Sequence, residues 1–280
     1  MKTNVKRLLK LFLFLLLLGS LTTACDKKKD EGTVAVKLTD DPFPVQFIGA
    51  VNVEITKIEL KDTNDNYVTV FEGHKTINVA DYTNGTTANV TLSNVPDGTY
   101  NKARVTIGDV SVTLTNNTTF SFNANGSMQA EVKIGPALEV QNGQFGNLLF
   151  DIDLADSLEF SGNFLGDWIT DITQITGIAD FEPDFRAVDL DKTGSVSGTV
   201  VDVNGNPAAY ARVEVEYDYD DDGMPDSVST HAKADGSFKI IGLPQGTYKL
   251  KVDTEDNGEA EIDNVNVVVK QTTTVNVSLQ

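Results

Sequence analysis

The sequence predicts an all-β protein with two antiparallel β-sandwich domains in tandem, behind a cleaved signal peptide. From Gly32 onward, short runs of alternating apolar and polar residues are separated by turns rich in Gly, Asn and Asp. No stretch sustains the 3.6-residue period of an amphipathic helix. The 256 residues after position 24 are also long enough for two ordinary hydrophobic cores.

The first 25 residues have the layout of an export signal. A positively charged head precedes an unbroken run of eight apolar residues at 11–18, and small residues lead from there to Cys25, the only cysteine in the chain. The apolar run is too short to span a bilayer, which takes about 20 residues. The charges of the head belong to Lys2, Lys6, Arg7 and Lys10.

This segment resembles a bacterial lipoprotein signal. The resemblance implies cleavage after residue 24, acylation of Cys25, and attachment of the mature protein to a lipid bilayer as its partner; ordinary secretion with a free cysteine is the alternative. We expect residues 25–32 to form a lipidated, flexible tether because they are too polar to fold. The triplet at 29–31 resembles the signal that sends Bacteroidetes lipoproteins to the outer face of the outer membrane, which implies exposure at the cell surface.

The charge of the chain excludes several classes of function. Of its 22 Lys and Arg residues, four lie in the signal, so 18 face 41 acidic residues in the mature chain and the net charge is −23. Nucleic-acid binding needs clustered basic residues and is not expected. With Cys25 acylated, no thiol is left for a disulfide, a zinc cluster or a cysteine nucleophile.

Residues 33–191 form the predicted first domain. Val51, Val53 and Ile55 alternate with polar residues, the phase slips at 56–57, and the pattern resumes at Ile58, which predicts a β-bulge. A polar turn at 62–66 predicts a hairpin, and among the later segments 100–107 and 110–114 are expected as separate strands. The segments 34–40, 51–55, 96–100 and 148–153, in this order and spacing, resemble the bacterial domain of unknown function 4382, and this resemblance implies a β-rich exported protein without known chemistry.

Residues 194–280 form the predicted second domain, after a short polar hinge at 189–194. The pairs Asn204-Gly205 and Asp235-Gly236 predict tight turns that need positive φ, and Phe238 and Tyr248 are expected in the core. The segments 198–207, 211–215, 234–238 and 242–248 resemble the carboxypeptidase regulatory-like domain. This resemblance implies a seven-stranded, transthyretin-like sandwich that usually serves as a non-catalytic module and is grouped with carbohydrate-binding folds.

An internal similarity links the two domains. Residues 95–100, Val-Pro-Asp-Gly-Thr-Tyr, recur as Leu-Pro-Gln-Gly-Thr-Tyr at 243–248. We interpret it as a shared turn feeding a strand whose tyrosine packs inward, rather than as a repeat of whole domains.

An acidic loop is the candidate metal site. It places carboxylates at positions one, three, five and nine, a glycine at six and a backbone carbonyl at seven, as calcium loops of the EF-hand type do. Ser229 at position twelve replaces the bidentate glutamate, so we expect weak affinity, and a hairpin with solvated acids is the alternative. The predicted calcium ligands are Asp218, Asp220, Asp222, Met224 and Asp226.

No catalytic residues are predicted, and we expect the chain not to be an enzyme. Asp151 and Asp153 lie on one strand face and are expected to be exposed. The predicted function is a surface-anchored, non-catalytic binding or scaffold module with a calcium-stabilised C-terminal domain, whose partner is a polysaccharide or a surface protein. Tyr210, Tyr217 and Tyr219 could stack on sugars, although the alternation of its strand makes Tyr217 equally a core residue. The alternatives are a glycoside-type hydrolase with an acidic cluster near Asp151, or a structural subunit of a surface fibre.

Overall fold

The computed structural model describes residues 30–41, 47–162, 171–218, 226–254 and 258–280. These residues form two β-units joined by one short connection. The strands of the first unit are β1 (Glu31–Asp41), β2 (Ile48–Asp62), β3 (Tyr67–Asn78), β4 (Ala88–Pro96), β5 (Gly98–Leu114), β6 (Thr119–Val140), β7 (Phe145–Asp153), β8 (Leu158–Gly162), β9 (Ile175–Phe181) and β10 (Asp184–Asp189). The strands of the second unit are β11 (Thr193–Val201), β12 (Arg212–Tyr217), β13 (Asp226–His231), β14 (Ser237–Pro244), β15 (Gly246–Asp253), β16 (Glu259–Val267), β17 (Thr272–Thr274) and β18 (Val277–Ser278).

The first unit is built on one eight-stranded sheet, in the order β3-β2-β5-β6-β10-β7-β1-β4. Its long strands β5 and β6 have 17 and 22 residues, and the sheet encloses a single core in which Tyr100, Phe150 and Phe181 are fully buried. The two edge strands, β3 and β4, lie close together. The Lys75 Nζ on β3 donates to the carbonyl oxygens of Asn89 and Val90 on β4 at 2.7 and 2.8 Å. Strands β8 and β9 form a separate two-stranded sheet.

The second unit is a sandwich of two four-stranded sheets. One contains β14, β11, β17 and β18, and the other has the order β13-β12-β15-β16. Both short strands β17 and β18 run parallel along β11, so they act as one interrupted strand, and the unit has the seven strands that the resemblance implied. Gly205 and Gly236 have φ of +80° and +79°, as the predicted turns require, and Phe238 is buried in the core.

The predicted fold class, an all-β chain with tandem domains, is confirmed. The predicted bulge in β2 is confirmed too, because the register of β2 shifts between Ile55 and Lys57 against both of its neighbours. The hairpin across 62–66 also forms, with the Asp62 carboxylate accepting the backbone N–H groups of Asn64 and Asn66.

Two details of the prediction are wrong. The sheets are not purely antiparallel, because β1 runs parallel to β7, β10 to β6, and β17 and β18 to β11. The segments 100–107 and 110–114, expected as separate strands, belong to the single strand β5, since a register shift at Ile107/Asp109 disturbs the alternation without ending the pairing. Within the described ranges, no helix is long and apolar enough to cross a membrane.

Candidate functional site

The predicted calcium and lipid sites lie largely outside the described residues. Cys25 and residues 219–225 are not among them, so Asp220, Asp222 and Met224 are not placed. The ends of the acidic loop are placed, since Asp218 follows β12 and Tyr217 pairs with Asp226 at the start of β13. Among the described residues, no three His, Cys, Asp or Glu side chains are grouped so that they could hold a metal ion. The calcium site therefore stays a prediction, and so does the acylation of Cys25.

A buried arginine with four hydrogen-bond partners lies at the junction of the two units. The Arg186 side chain on β10 is 4% exposed. Its Nη2 donates to Asp151 Oδ2 at 2.5 Å and to the Ile241 carbonyl oxygen at 3.2 Å. Its Nη1 donates to the Gly242 carbonyl oxygen at 2.6 Å and to the Tyr217 hydroxyl at 3.2 Å. One partner thus lies in the first unit and three lie in the second.

Strand register explains this arrangement. β10 and β7 pair antiparallel with Arg186 directly opposite Asp151, so their Cβ atoms are about 4.5–5.5 Å apart and the charges meet on one face. On the other side of the junction, Gly242 has a φ of +74°, and a Cβ at this position would lie 3.0 Å from Val188 Cγ2 and 3.3 Å from Arg186 Nη1. Glycine is required here because the backbone of β14 comes so close to β10.

The expectation that Asp151 lies on an exposed face is wrong. Strand β7 is buried on both faces from Leu148 to Ile152, since Leu148, Phe150 and Ile152 lie in the core of the first unit and the second unit covers the opposite face. Asp151 is 8% exposed with Arg186 on its Oδ2, and Asp153 accepts the backbone N–H of Asp156 at 3.0 Å. These carboxylates do not form an open acidic cluster, so the hydrolase alternative loses the residue on which it depended.

The predicted hinge at 189–194 is also wrong. Asp189 ends β10, its carboxylate accepts the backbone N–H of Asp191 at 3.0 Å, and residues 190–192 form one turn of 3₁₀-helix. Thr193 then enters β11 and is 3% exposed. Along this fully described stretch, no unstructured residue separates the last strand of the first unit from the first strand of the second.

Two further contacts fix the units against each other. The Asn84 side-chain amide donates to the His231 carbonyl oxygen at 2.9 Å and to the Ser237 carbonyl oxygen at 3.4 Å. On the other side of the connection, Lys270 Nζ lies 2.9 Å from Asp191 Oδ1. Together with Arg186, these contacts hold the units at three separate points.

A pocket of about 270 Å³ opens beside the connection. The first unit contributes Glu139, Gln144, Phe145 and Asp189, the connection contributes Asp191 and Lys192, and the second unit contributes Lys270. Lys192 Nζ lies 2.7 Å from Glu139 Oε1 and also donates to the Ala137 carbonyl oxygen at 2.9 Å. The Phe145 side chain is one of the few large apolar groups left exposed among the described residues, at 57%.

The electrostatics of this pocket follow from pairing and burial. Burial opposes ionisation of Asp191, but the hydrogen bonds from Lys270 and Asn147 outweigh it, so the pKa of Asp191 lies below its ordinary value. The hydrogen bond from Lys192 likewise lowers the pKa of Glu139. Burial raises the pKa of Asp189, although the Asp191 backbone N–H donates to its carboxylate. Each of the two lysines is thus neutralised by a carboxylate.

The three tyrosines proposed to stack on sugars have different positions. The Tyr217 ring packs edge-on against Tyr248 with 5.7 Å between the ring centroids, and its hydroxyl accepts from Arg186, so it belongs to the junction and cannot serve as an open platform. Tyr210 is 62% exposed. Tyr219 lies outside the described residues.

Sequence reasoning missed the junction residues Arg186, Asn84 and Gly242. The sequence does indicate that Arg186 is buried, because this residue stands between Phe185 and Ala187 in an apolar run. An arginine in such a run needs a buried partner. No local pattern identifies that partner, because Asp151 is 35 residues away and the carbonyl groups of 241 and 242 belong to the other unit.

The fold and the junction define an all-β protein of two tandem domains that contact each other through the buried side chain of Arg186 and other polar groups. Two family models match the chain: residues 31–165 match "Domain of unknown function (DUF4382)", and residues 195–280 match "Carboxypeptidase regulatory-like domain". These are the two families that the sequence motifs resemble. The chain therefore carries an N-terminal domain of the first family and a C-terminal domain of the second.

One curated relative is Structural protein 27 of a virus (isolate Australia/Victoria), which is 33% identical over 124 residues. The match covers 40% of this chain and 22% of the viral protein. This chain thus spans about a fifth of that protein's length.

Among solved structures, similarity is found with three bacterial proteins at low TM-scores. The Bacillus anthracis TIE protein has 9% identity and a TM-score of 0.25, with 92% of this chain and 42% of that chain covered. The minor pilin GBS52 of Streptococcus agalactiae has 15% identity and a TM-score of 0.26, with 89% and 95% covered. A putative cell adhesion protein from Bacteroides ovatus has 12% identity and a TM-score of 0.24, with 89% and 92% covered.

Proposed function

We propose that this protein is a surface-anchored lipoprotein without catalytic activity, which acts as a rigid two-domain binding or scaffold module. The observation that supports it best is the Arg186 junction. It holds the two units together, and it occupies the carboxylate that a hydrolytic mechanism would have used. The export signal ending at Cys25 supports the anchor, and a single lipidated cysteine would leave the whole folded part free to present its surfaces.

The anchor is tested on the native protein. Mass spectrometry of its N-terminal peptide should find Cys25 carrying acyl chains, and the protein should fractionate with the outer membrane and be cleaved by protease added to intact cells. A Cys25→Ser variant should leave the membrane fraction. Recovery of a native chain with a free thiol, or of a soluble chain in the medium, would contradict the proposal.

Calcium stabilisation of the C-terminal domain belongs to the same proposal. It is supported by the ligand spacing at 218–226 and by the pairing of Tyr217 with Asp226, which brings the two ends of the loop together. Saturating calcium should raise the melting temperature of the mature protein, and a chelator should reverse the shift.

Asp220→Asn and Asp222→Asn together should abolish this response, because each removes a carboxylate from the ligand set. Asp263→Asn, at an exposed carboxylate on β16, is the matched control and should leave the response intact. A melting temperature that is insensitive to about millimolar calcium would show that the acids of the loop are merely solvated.

A further inference from the structure

The pocket beside the connection has the features of a small-ligand site. It lies where two domains meet, which is a common place for such sites, and its volume of 270 Å³ is slightly below the usual range of about 300–1,000 Å³. A ligand of roughly one ring, or the end of a longer chain, fits this size.

Its polar groups are held in place before any ligand arrives. Asp191 is fixed by Lys270, by the Asn147 side-chain amide at 3.1 Å and by its place in the 3₁₀ turn. Lys192 is fixed by Glu139 and by the Ala137 carbonyl oxygen. Ordered donors and acceptors of this kind reduce the entropy that a ligand loses on binding.

Most of the charged side chains that line the pocket are paired with each other, which disfavours an ionic ligand. Lys192 and Lys270 each have a carboxylate partner, so the described lining residues offer no unpaired cation to an anionic ligand. The carboxylates of Glu139 and Asp191 are likewise already paired, and Asp189 is 3% exposed. What remains available is a dense set of hydrogen-bonding groups, including the exposed side chain of Gln144, with little net charge.

The rim adds an apolar surface. Phe145, at the start of β7, is 57% exposed and is one of the residues that line the pocket. Exposed aromatic side chains next to convergent polar groups are typical anchors of binding sites. A molecule with one C–H face and one hydroxyl-rich edge matches both surfaces at once, and a neutral sugar ring has this chemistry.

We infer that this junction pocket binds a neutral sugar residue, with Phe145 packing against the ring face and Gln144, Asp191 and Lys192 bonding to its hydroxyl groups. The inference rests on the proposed binding function and names its ligand class. It differs from the predicted tyrosine platform, since neither Tyr210 nor Tyr217 is among the described residues that line the pocket.

Affinity electrophoresis tests this inference with the mature protein. Gels cast with starch, mannan, xylan or β-glucan test neutral chains, and polygalacturonate tests an anionic one. We expect retardation by at least one neutral polysaccharide and none by polygalacturonate. Calorimetry with oligosaccharides from the retarding polymer should give a dissociation constant that rises about tenfold or more in Phe145→Ala.

Leu92→Ala is the matched control, because Leu92 is also exposed, at 63%, but lies on the edge strand β4. It should bind as the unaltered protein does. Gln144→Ala should also weaken binding, and it provides a second measurement if Phe145→Ala melts early. Absence of retardation by every neutral polymer, retardation by polygalacturonate alone, or unchanged affinity in both pocket variants would overturn the inference. None of these results would affect the membrane fractionation that tests the anchor.

Discussion

At the scale of single residues, the Arg186–Asp151 pair decides how the two units meet. Burying both charges costs solvation free energy, and the pair recovers it only because the guanidinium also binds the carbonyl oxygens of 241 and 242 and the Tyr217 hydroxyl. Such a pair is a weak source of net stability, but the loss of one partner leaves an uncompensated buried charge.

We therefore predict that Arg186→Met destabilises the protein strongly. The Asp151 carboxylate would remain buried without its cation, and the cost for such cases is about 3–5 kcal/mol. Thermal and urea unfolding of the mature protein measure the effect.

Two companion variants make this prediction specific. Lys249→Met removes a lysine that is 46% exposed and paired with two carboxylates, and it should change stability by no more than about 1 kcal/mol. Combining Arg186→Met with Asp151→Leu should recover much of the lost stability, because no buried charge remains. An Arg186→Met variant as stable as the unaltered protein would show that the junction is solvated.

At the scale of elements, the same kind of turn occurs once in each unit. The Tyr100 hydroxyl donates to the Pro96 carbonyl oxygen at 2.8 Å, and the Tyr248 hydroxyl donates to the Pro244 carbonyl oxygen at the same distance. In both cases the glycine two residues before the tyrosine lies against its ring. The inward-packing tyrosine predicted from the repeated hexapeptide is confirmed, and each copy fixes the start of a strand, β5 or β15.

The buried tyrosine of each turn predicts that the protein loses stability in alkali. Burial raises the pKa of both Tyr100 and Tyr248 to about 12, whereas the pKa of a tyrosine in the unfolded chain is about 10. The unfolded state therefore releases its protons first as the pH rises. The stabilisation that each buried tyrosine gives to the folded state is fully present below about pH 10 and is lost as the pH rises through about 12.

The matched phenylalanine variants separate this effect from other alkaline titrations. Tyr100→Phe and Tyr248→Phe should each lose about 0.5–1.5 kcal/mol at neutral pH, for one hydrogen bond. Their melting temperatures should then fall less than that of the unaltered protein between about pH 10 and 12. Parallel decline of all three proteins in this range would contradict the prediction.

Elements defined by local chemistry could be predicted from the sequence, and those defined by distant partners could not. The bulge in β2, the Asp62 turn and the glycines at 205 and 236 follow from neighbouring residues, and all are present. The parallel pairing of β1 with β7 joins segments more than a hundred residues apart, and alternation does not specify it. The pocket was missed for the same reason, since its lining comes from three distant segments.

At the scale of the whole molecule, the absence of a hinge between β10 and β11, a stretch that the structure describes in full, is the feature that matters most for function. Tandem domains usually move relative to each other unless their interface is extensive. Here the chain passes from β10 through one 3₁₀ turn into β11, and Arg186, Asn84 and Lys270 connect the units at separate points. A rigid pair of domains keeps the junction pocket open in one shape, which flexibly linked domains could not do.

We predict that the two units hold one relative orientation in solution. Spin labels at Leu92→Cys and Val203→Cys, in a Cys25→Ser background, report the distance between them, because both side chains are 63% exposed and lie on different units. Pulsed electron paramagnetic resonance should give one narrow distance distribution. Arg186→Met combined with Asn84→Ala should broaden it, since two of the three contact points across the junction are lost. Arg104→Met is the control, because Arg104 pairs with Glu59 inside the first unit, and it should leave the distribution narrow. A broad distribution in the unaltered protein would mean that the junction contacts are transient, and a rigid scaffold would then be ruled out.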